Sequence, residues 1–392
     1  MSGIKNIIII FLSLLTTALF SQNTIKFIEK IVPKDRQAND QFGWSIDSDS
    51  KFLIAGVPNS TYWKNNKEVN GSGAVYVYKI ENEKIVFFQK LFAPIPKKES
   101  SFGNTVALHK NVLVIGSYRY RKNGQTRYQT LGGIYIYRLI NDKWEFEQFF
   151  KNPNEANKNN GRFGAKLDIY GNYIIAGDGL FNSSLSLIKY QNGHWKVTDM
   201  IINKDTTFGC DVTIYNKTIV VGSKNYTNNK NEVNQKGKVY IYTIDSNDKL
   251  QLQNTITPIA GDEEDLGFGS KVKLESNLLL IGAETTYPLK RNGLLFIYKD
   301  MGGYEYKLDT VIKAIQPLKE DWYAHSFDLF KNILVVGAMG NTMYDNSMVE
   351  YMGAVYIYEK IGKEWSLVNK EYAIKPTSWD KYGFFVSIHD SN

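Results

Sequence analysis

The densest group of residues that could bind a ligand lies in the segment from Tyr118 to Tyr128, which holds three of the chain's seven arginines and three tyrosines. Guanidinium groups among aromatic rings suit contact with phosphate, sulfate, carboxylate or sugar rings. The alternative is an ordinary polar loop whose charge keeps it solvated. Two aromatic residues of an earlier loop join the group, so that the candidate ligand-binding residues are Tyr62, Trp63, Tyr118, Arg119, Tyr120, Arg121, Arg127 and Tyr128.

Other residues with reactive side chains are isolated in the sequence. The single cysteine, Cys210, has no base beside it that could activate a nucleophile, so we expect a buried, inert thiol. The four histidines stand at 109, 194, 325 and 389, and no two of them have metal-ligand spacing. The acidic run from Asp262 to Asp265 could hold a cation or form a solvated loop. We predict no catalytic residue, no metal site and no cofactor.

Composition limits the class of protein. The 392 residues are 43% hydrophobic and 14% aromatic, which excludes intrinsic disorder, and an excess of tyrosine and phenylalanine over proline favours strands. One cysteine excludes an internal disulfide framework. The net charge of +7 is spread along the chain mostly as lysine, which favours solubility more than nucleic-acid binding. No nucleic-acid partner is therefore expected.

The N-terminus has the pattern of an export signal. Lys5 precedes an apolar run from Ile7 to Phe20, about 14 residues long and too short to cross a bilayer comfortably. We predict a signal peptide over 1–21 and a mature chain that starts at Gln22 and has no transmembrane segment. The predicted location is secreted or on the cell surface.

The rest of the chain repeats itself. Seven segments that open with an aromatic residue, usually Phe-Gly, begin at 42, 102, 163, 208, 268, 323 and 382. In the first six, a short apolar run follows and ends in glycine 14 residues after the aromatic residue, at Gly56, Gly116, Gly177, Gly222, Gly282 and Gly337. A third run, such as GAVYVYKI at 73–80, and a fourth complete each unit. This constant internal spacing indicates a repeat architecture.

Each unit contains four short runs, which we name strands a, b, c and d. They are rich in Val, Ile and Tyr and are separated by turn residues, which predicts a four-stranded antiparallel sheet. Strand c is apolar on both faces, so each sheet must be covered on both sides. Sheets of this kind, repeated at about 60 residues, predict an all-β β-propeller, with a solenoid as the alternative. We expect the tyrosines of strand c to be buried, together with Phe102, Phe163, Phe208 and Phe268.

The pattern of Phe-Gly, an apolar strand that ends in glycine and then GAVYVY resembles the FG-GAP repeat of integrin alpha-chain-type β-propellers, over residues 24–392. The resemblance implies a seven-bladed propeller with strand a innermost, secreted or on the cell surface, that serves adhesion or ligand binding. The integrin-type calcium loop lies between strands a and b, and here that connection is too short for it. The chain is more similar to the short-turn variety of exported bacterial proteins.

We predict six complete blades and an incomplete seventh, within one propeller domain over 22–392. A d-like strand opens the mature chain and an a-like strand begins at Tyr382, whereas strands b and c of a seventh blade are not expected. In the resembled family the b–c and d–a loops share one face, which is the ligand face.

The predicted function is non-enzymatic binding or adhesion, with a protein or glycan as the partner. One alternative is a hydrolase or lyase that uses the central channel. It would need acid–base groups on the channel-lining strands a, where we find only Asp168, Asp211, Asp328 and His325. A structural module of a larger surface assembly is the other alternative.

Overall fold

Six sheets of four antiparallel strands form the computed structural model of the protein. The structure describes residues 7–8, 29–64, 67–82, 84–122, 129–154, 161–179, 183–205, 207–224, 237–258, 267–284, 293–315, 321–344 and 347–389. Each sheet has its strands in the order a, b, c, d, which confirms an all-β propeller with four-stranded blades. Within the described ranges, no helix has the length and apolar character to cross a membrane.

The blades follow the sequence repeat, and each has its strands a to d in chain order. Blade 1 comprises Ser45–Ser48, Phe52–Val57, Ala74–Glu81 and Lys84–Leu91. Blade 2 comprises Thr105–His109, Val112–Gly116, Gly133–Ile140 and Lys143–Lys151. Blade 3 comprises Lys166–Tyr170, Tyr173–Gly177, Ser184–Gln191 and His194–Ile202.

The other three blades repeat this layout. Blade 4 comprises Phe208–Tyr215, Thr218–Ser223, Lys238–Ile244 and Leu250–Ile256. Blade 5 comprises Phe268–Glu275, Leu278–Ala283, Leu294–Asp300 and Tyr306–Lys313. Blade 6 comprises Tyr323–Phe330, Ile333–Ala338, Ala354–Ile361 and Glu364–Glu371. Three short pairs stand outside the blades: Ile7–Ile8 with Lys30–Ile31, Tyr62–Lys64 with Lys67–Val69, and Met343–Tyr344 with Ser347–Met348.

The hydrophobic core lies between neighbouring blades. The aromatic residue that begins each repeat is inserted between the blades. As predicted, Phe102, Phe163, Phe208 and Phe268 are fully buried. The Phe102 ring meets Tyr135 of strand c edge to face, with the ring centroids 5.2 Å apart. The strand c tyrosines are likewise buried. Strand b and the first half of strand c are buried on both faces because each sheet is covered on both sides.

Close contact between blades explains the glycine that is the last or next-to-last residue of each strand b. A Cβ atom built on Gly116 would lie 2.1 Å from the carbonyl oxygen of Gly164, the glycine of the next Phe-Gly pair. The same holds for Gly337, where a Cβ would lie 2.0 Å from the oxygen of Gly383. No larger residue fits between these backbones, so the repeat requires glycine at this position.

The seventh blade is not formed, which corrects the prediction of a seven-bladed propeller. Residues 382–389 dock on blade 6 as an innermost strand would, since Ser326 Oγ donates to Gly383 O at 2.9 Å and Asp328 accepts from the Ile388 N–H at 3.1 Å. The segment also reaches blade 1, where Ser387 Oγ lies 2.8 Å from Ser48 Oγ. No strand among the described residues pairs with this segment, so it lacks the hydrogen-bond ladder of a sheet.

The chain before blade 1 makes the corresponding outer contact. Glu29 Oε1 accepts a hydrogen bond from the Ile85 N–H at 2.9 Å. Gln89 Oε1 accepts from the Trp144 N–H at the same distance where blade 1 meets blade 2. Glu29 and segment 382–389 therefore both contact blade 1, the first at its outer strand d and the second at its inner strand a.

Candidate functional site at the channel mouth

A cavity of about 410 Å³ lies inside the ring of strands a. Alternate residues of a strand point to the same face, so the fourth and sixth residues of each repeat, counted from its opening aromatic residue, line the cavity together. The charged residues at the fourth positions are Lys166, Asp211 and Lys271, and those at the sixth positions are Asp47, Asp168, Lys273 and Asp328.

The four channel aspartates link successive repeats. Each accepts a hydrogen bond from a main-chain N–H of the next repeat. The pairs are Asp47 with Leu108 at 2.7 Å, Asp168 with Ile214 at 2.8 Å, Asp211 with Val272 at 2.9 Å and Asp328 with Ile388 at 3.1 Å. These carboxylates therefore hold neighbouring blades together. Asp168, Asp211 and Asp328, the three aspartates that a channel enzyme would need as acid–base groups, thus have a structural role.

Lys273 partly offsets the charge of the three aspartates in the deep part of the channel. Its Nζ lies 2.7 Å from Asp328 Oδ1. Burial alone would lower the pKa of Lys273. The carboxylates of Asp328, Asp168 and Asp47 outweigh burial and raise this pKa. Burial also raises the pKa of Asp47 to about 7 and raises that of Asp168. In the deep channel, Lys273 is thus paired with Asp328, while Asp47 and Asp168 are held by main-chain N–H groups.

A hydrogen-bonded imidazole and carboxylate lie nearer the loops. His325 Nδ1 is 2.8 Å from Glu284 Oε1. Burial alone would raise the pKa of Glu284, but His325, Lys224 and Lys166 outweigh it and lower this pKa to about 2. His325 lines the cavity, as its place on strand a led us to expect. Glu284 was not expected there, because it follows strand b of blade 5 and no local pattern marks it.

Cations outnumber carboxylates where the channel meets the b–c and d–a loops, a region that we call the channel mouth. Lys166 and Lys271 flank Asp211, with Nζ-to-carboxylate distances of 3.5 and 3.3 Å. In the described part of the chain, four cations and two carboxylates line the mouth, beside the His325 ring: Arg162, Lys166, Lys224, Lys271, Asp211 and Glu284.

One of the predicted ligand-binding residues, Tyr118, reaches this mouth, and a second, Arg119, lies against its ring. The Tyr118 ring lines the cavity. The Arg119 guanidinium lies 5.1 Å from the Tyr118 ring centroid, and that of Arg162 lies 5.6 Å from it. Arg162 comes from the d–a loop that leads to blade 3, so the sequence did not connect it with Tyr118. The mouth thus combines the Tyr118 ring with the Arg162 guanidinium, and the exposed Arg119 guanidinium lies beside the same ring.

Comparison with known proteins bears on the repeat and on the fold. Residues 26–78 match the family model described as FG-GAP repeat. The chain contains an FG-GAP repeat. The match runs from the segment before blade 1 into its strand c, and it confirms the FG-GAP repeat in this part of the chain. No curated protein matches the chain.

Among solved structures, a chain from Bacteroides uniformis that is named provisionally as a 6-phosphogluconolactonase has a TM-score of 0.54. It is 11% identical, and the alignment covers 85% of this chain and 86% of that one. An identity this low shows only that the two chains share the propeller fold.

Within the matched FG-GAP repeat, the two aromatic candidates have different environments. The Tyr62 ring packs edge to face on Phe92, with centroids 4.9 Å apart, so that it covers the top of blade 1. Trp63 is 57% exposed. Both lie in the short hairpin of the b–c loop, on the same face as the mouth.

The remaining candidates of the second FG-GAP-like unit do not gather at the mouth. Tyr120 packs on Phe149, with ring centroids 4.9 Å apart. Arg121 forms an ion pair with Glu99 at 3.0 Å and donates to Lys98 O at 3.2 Å. These contacts join the b–c loop of blade 2 to the preceding d–a loop. Arg127 and Tyr128 lie outside the described residues, as does the acidic run 262–265.

Cys210 is a buried free thiol, as predicted. Its Sγ lies 3.2 Å from Gly269 O and accepts from the Lys224 N–H at 3.4 Å. Burial raises the pKa of this thiol above its usual value. A thiol of this kind is a poor nucleophile at neutral pH.

Proposed function

We propose that the protein is an exported, non-enzymatic propeller that binds a protein or glycan through the face formed by its b–c and d–a loops. The observation that carries this proposal is the excess of cations at the channel mouth, beside Tyr118 and Arg119. A carboxylate, sulfate or phosphate of the partner would enter the mouth. Hydrogen bonds to charged groups contribute about 1.5–3 kcal/mol each, so a few of them can anchor a ligand.

The proposal is tested with the mature chain 22–392 on a glycan array. The same chain is used as bait in a pull-down from the medium into which the protein is exported. The variant Arg119→Ser with Lys224→Ser removes one cation that lines the mouth and one that lies beside Tyr118, and it should weaken binding at least about tenfold. Added salt should weaken wild-type binding as well, because charged contacts are screened.

The control is Lys143→Ser, which removes an exposed cation from the start of strand d in blade 2, on the opposite face. This change should leave binding as it is. The proposal fails if the double variant binds like the wild type while changes on the opposite face abolish binding.

A hydrolase or lyase is the second candidate, because His325 and Glu284 form a paired imidazole and carboxylate on the cavity wall. Such a pair can act as a base with an orienting group. The assay would follow hydrolysis of a sugar lactone, the class of substrate in the name of the structural neighbour, and of aryl glycosides. Turnover that His325→Asn abolishes without lowering the melting temperature would favour the enzyme over the binding propeller.

A further inference from the structure

Three aromatic rings meet on the loop face where blade 6 adjoins the docked segment 382–389. We call them the aromatic cluster: Trp322, Tyr351 and Trp379. The ring centroids of Trp322 and Tyr351 are 5.7 Å apart, and those of Tyr351 and Trp379 are 4.5 Å apart. Trp379 is 49% exposed, so an indole surface supported by a second ring is open to solvent.

The backbone holds these residues in an unfavourable conformation. Their φ angles are 47° for Trp322, 50° for Tyr351 and 71° for Trp379. Positive φ is unfavourable for bulky side chains. Four aromatic residues of the described chain have positive φ, and three of them form this cluster. Such conformations concentrate at functional sites, where surrounding structure enforces them.

The fold itself does not require aromatic residues here, because blade 1 builds the same turn without them. There, Gly71 and Glu99 have φ angles of 62° and 56°. The Glu99 N–H donates to Asn70 O at 2.9 Å, as the Trp379 N–H donates to Glu350 O at 2.8 Å. Blade 1 thus has Gly71 where Tyr351 stands, and Glu99 where Trp379 stands.

We propose that the aromatic cluster binds a pyranose ring of an acidic glycan. A pyranose presents a patch of C–H groups on one face and oxygen atoms around its edge. The C–H face would lie on the exposed part of Trp379. The Lys381 ammonium, 5.9 Å from the Trp379 ring centroid, would meet a carboxylate or sulfate at the edge of the sugar.

Two observations favour this ligand over a protein surface. A single half-exposed indole matches the size of one sugar ring, whereas a stable protein interface buries about 800 Å² on each partner. The channel mouth on the same loop face carries four cations against two carboxylates, and Lys381 adds a cation beside the cluster. Of the charged side chains next to the cluster in sequence, Lys381 lies over the Trp379 ring, whereas Asp380 is buried and the exposed Glu350 adjoins Tyr351. The Lys381 contact is therefore what favours an acidic glycan. The inference rests on the proposed function in that it names the ligand class for the same face.

The experiment uses a panel of uronate-containing and sulfated oligosaccharides beside their carboxyl-reduced or desulfated counterparts. We expect the full chain to bind members of the acidic set. The variants are Trp379→Glu and Tyr351→Gly, which install the residues that blade 1 has at the same places. Each should lower affinity at least about tenfold. Tyr351→Gly should keep or raise the melting temperature, because glycine adopts positive φ without strain.

The matched control is Tyr304→Gly. Tyr304 is the fourth aromatic residue with positive φ, at 64°, and it lies in the c–d connection of blade 5 on the opposite face. Its replacement should leave glycan binding unchanged. Circular dichroism and the melting temperature of all variants establish that they are folded.

The two proposals can fail separately. If acidic glycans bind and the channel-mouth variant loses them while Trp379→Glu and Tyr351→Gly retain them, the cluster is not the site and the binding propeller stands. Preference for the uncharged set would overturn the acidic ligand. If no glycan binds but a protein partner is captured through the mouth, the inference falls and the proposed function is supported.

Discussion

At the scale of single residues, burial decides which aromatic side chains stabilise the protein and which are available to a ligand. The Phe102 ring is fully buried between blades 1 and 2, whereas Phe87 on strand d of blade 1 is 56% exposed. Both are phenylalanines in strand-rich sequence. Their different surroundings lead to different expectations.

Phe102→Ala should lower the free energy of unfolding by about 3–5 kcal/mol, because it removes a buried ring and leaves a cavity. Urea denaturation followed by tryptophan fluorescence measures the change. Phe87→Ala is the control and should cost less than about 1 kcal/mol. A similar small cost for both would mean that the Phe-Gly motif does not anchor the blades.

Asp47 makes stability depend on pH. Its pKa is raised from 3.8 to about 7 by burial in the channel wall, so at neutral pH the native state holds a proton that the unfolded chain has released. The resulting loss of stability is absent below about pH 4, grows as the pH rises towards 7 and is complete above pH 7. At its full size it lowers the free energy of unfolding by an amount on the order of a few kcal/mol. Asp168 acts in the same direction. Glu284, with its pKa lowered to about 2, acts in the opposite direction, but only under more acidic conditions.

The variant Asp47→Asn keeps an oxygen that can accept from the Leu108 N–H but does not ionise. The difference in melting temperature between Asp47→Asn and the wild type should therefore shift in favour of the variant between about pH 5 and about pH 8. A difference that is the same at both pH values would contradict the raised pKa of Asp47.

At the scale of the strand, the distance between two backbones determines the sequence. Strand b ends in glycine because the carbonyl of the next Phe-Gly pair lies where a Cβ would be, as at Gly116. This glycine does not have positive φ. Space, and not backbone conformation, is what requires it.

Gly116→Ala should therefore destabilise the protein by about 3 kcal/mol or more, since neither backbone can withdraw without separating blades 2 and 3. Gly193→Ala is the comparison that tests backbone conformation without crowding. Gly193 has φ of 81°, but no atom lies within 4 Å of an added Cβ. Its cost should be about 1–2 kcal/mol. Thermal denaturation of the two variants makes the comparison. Equal costs would show that crowding between blades is not the reason for the glycine.

At the scale of the whole molecule, the docked segment 382–389 joins blade 6 to blade 1. Tyr382 forms a bridge with Gly353, as Phe102 does with Gly73 where blade 1 meets blade 2. It is 3% exposed and packs with Val335 and Val355 of blade 6. The segment does without a sheet partner because side-chain packing and a few hydrogen bonds replace the ladder.

Tyr382→Ala should lower the melting temperature and make residues 382–389 the first site of limited proteolysis. The free energy of unfolding should fall by about 3–5 kcal/mol, as for the truncation of other large buried side chains. Mass spectrometry of the fragments locates the cleavage. Unchanged melting and cleavage elsewhere would show that ring closure does not depend on this segment.

Much of the fold could be predicted because it is encoded locally. The alternation of apolar residues predicts strands, and the constant spacing of aromatic residue and glycine predicts identical hairpins that pack in the same way. The burial of Phe102 follows from this pattern alone. Six complete blades were predicted and six form, but the expected partial seventh blade does not, so the seven-bladed type was wrong. Whether a terminal segment becomes a blade depends on partners far away in the chain.

The sequence by itself determined the repeat, the strands, the buried aromatic residues and the glycines between blades, because each depends on neighbours within one unit or on a contact that every unit repeats. Only the tertiary structure decided which polar side chains meet. It brought Arg162 to Tyr118, Glu284 to His325 and Arg121 to Glu99. These partners lie in different units and share no spacing, so local pattern carries no information about them.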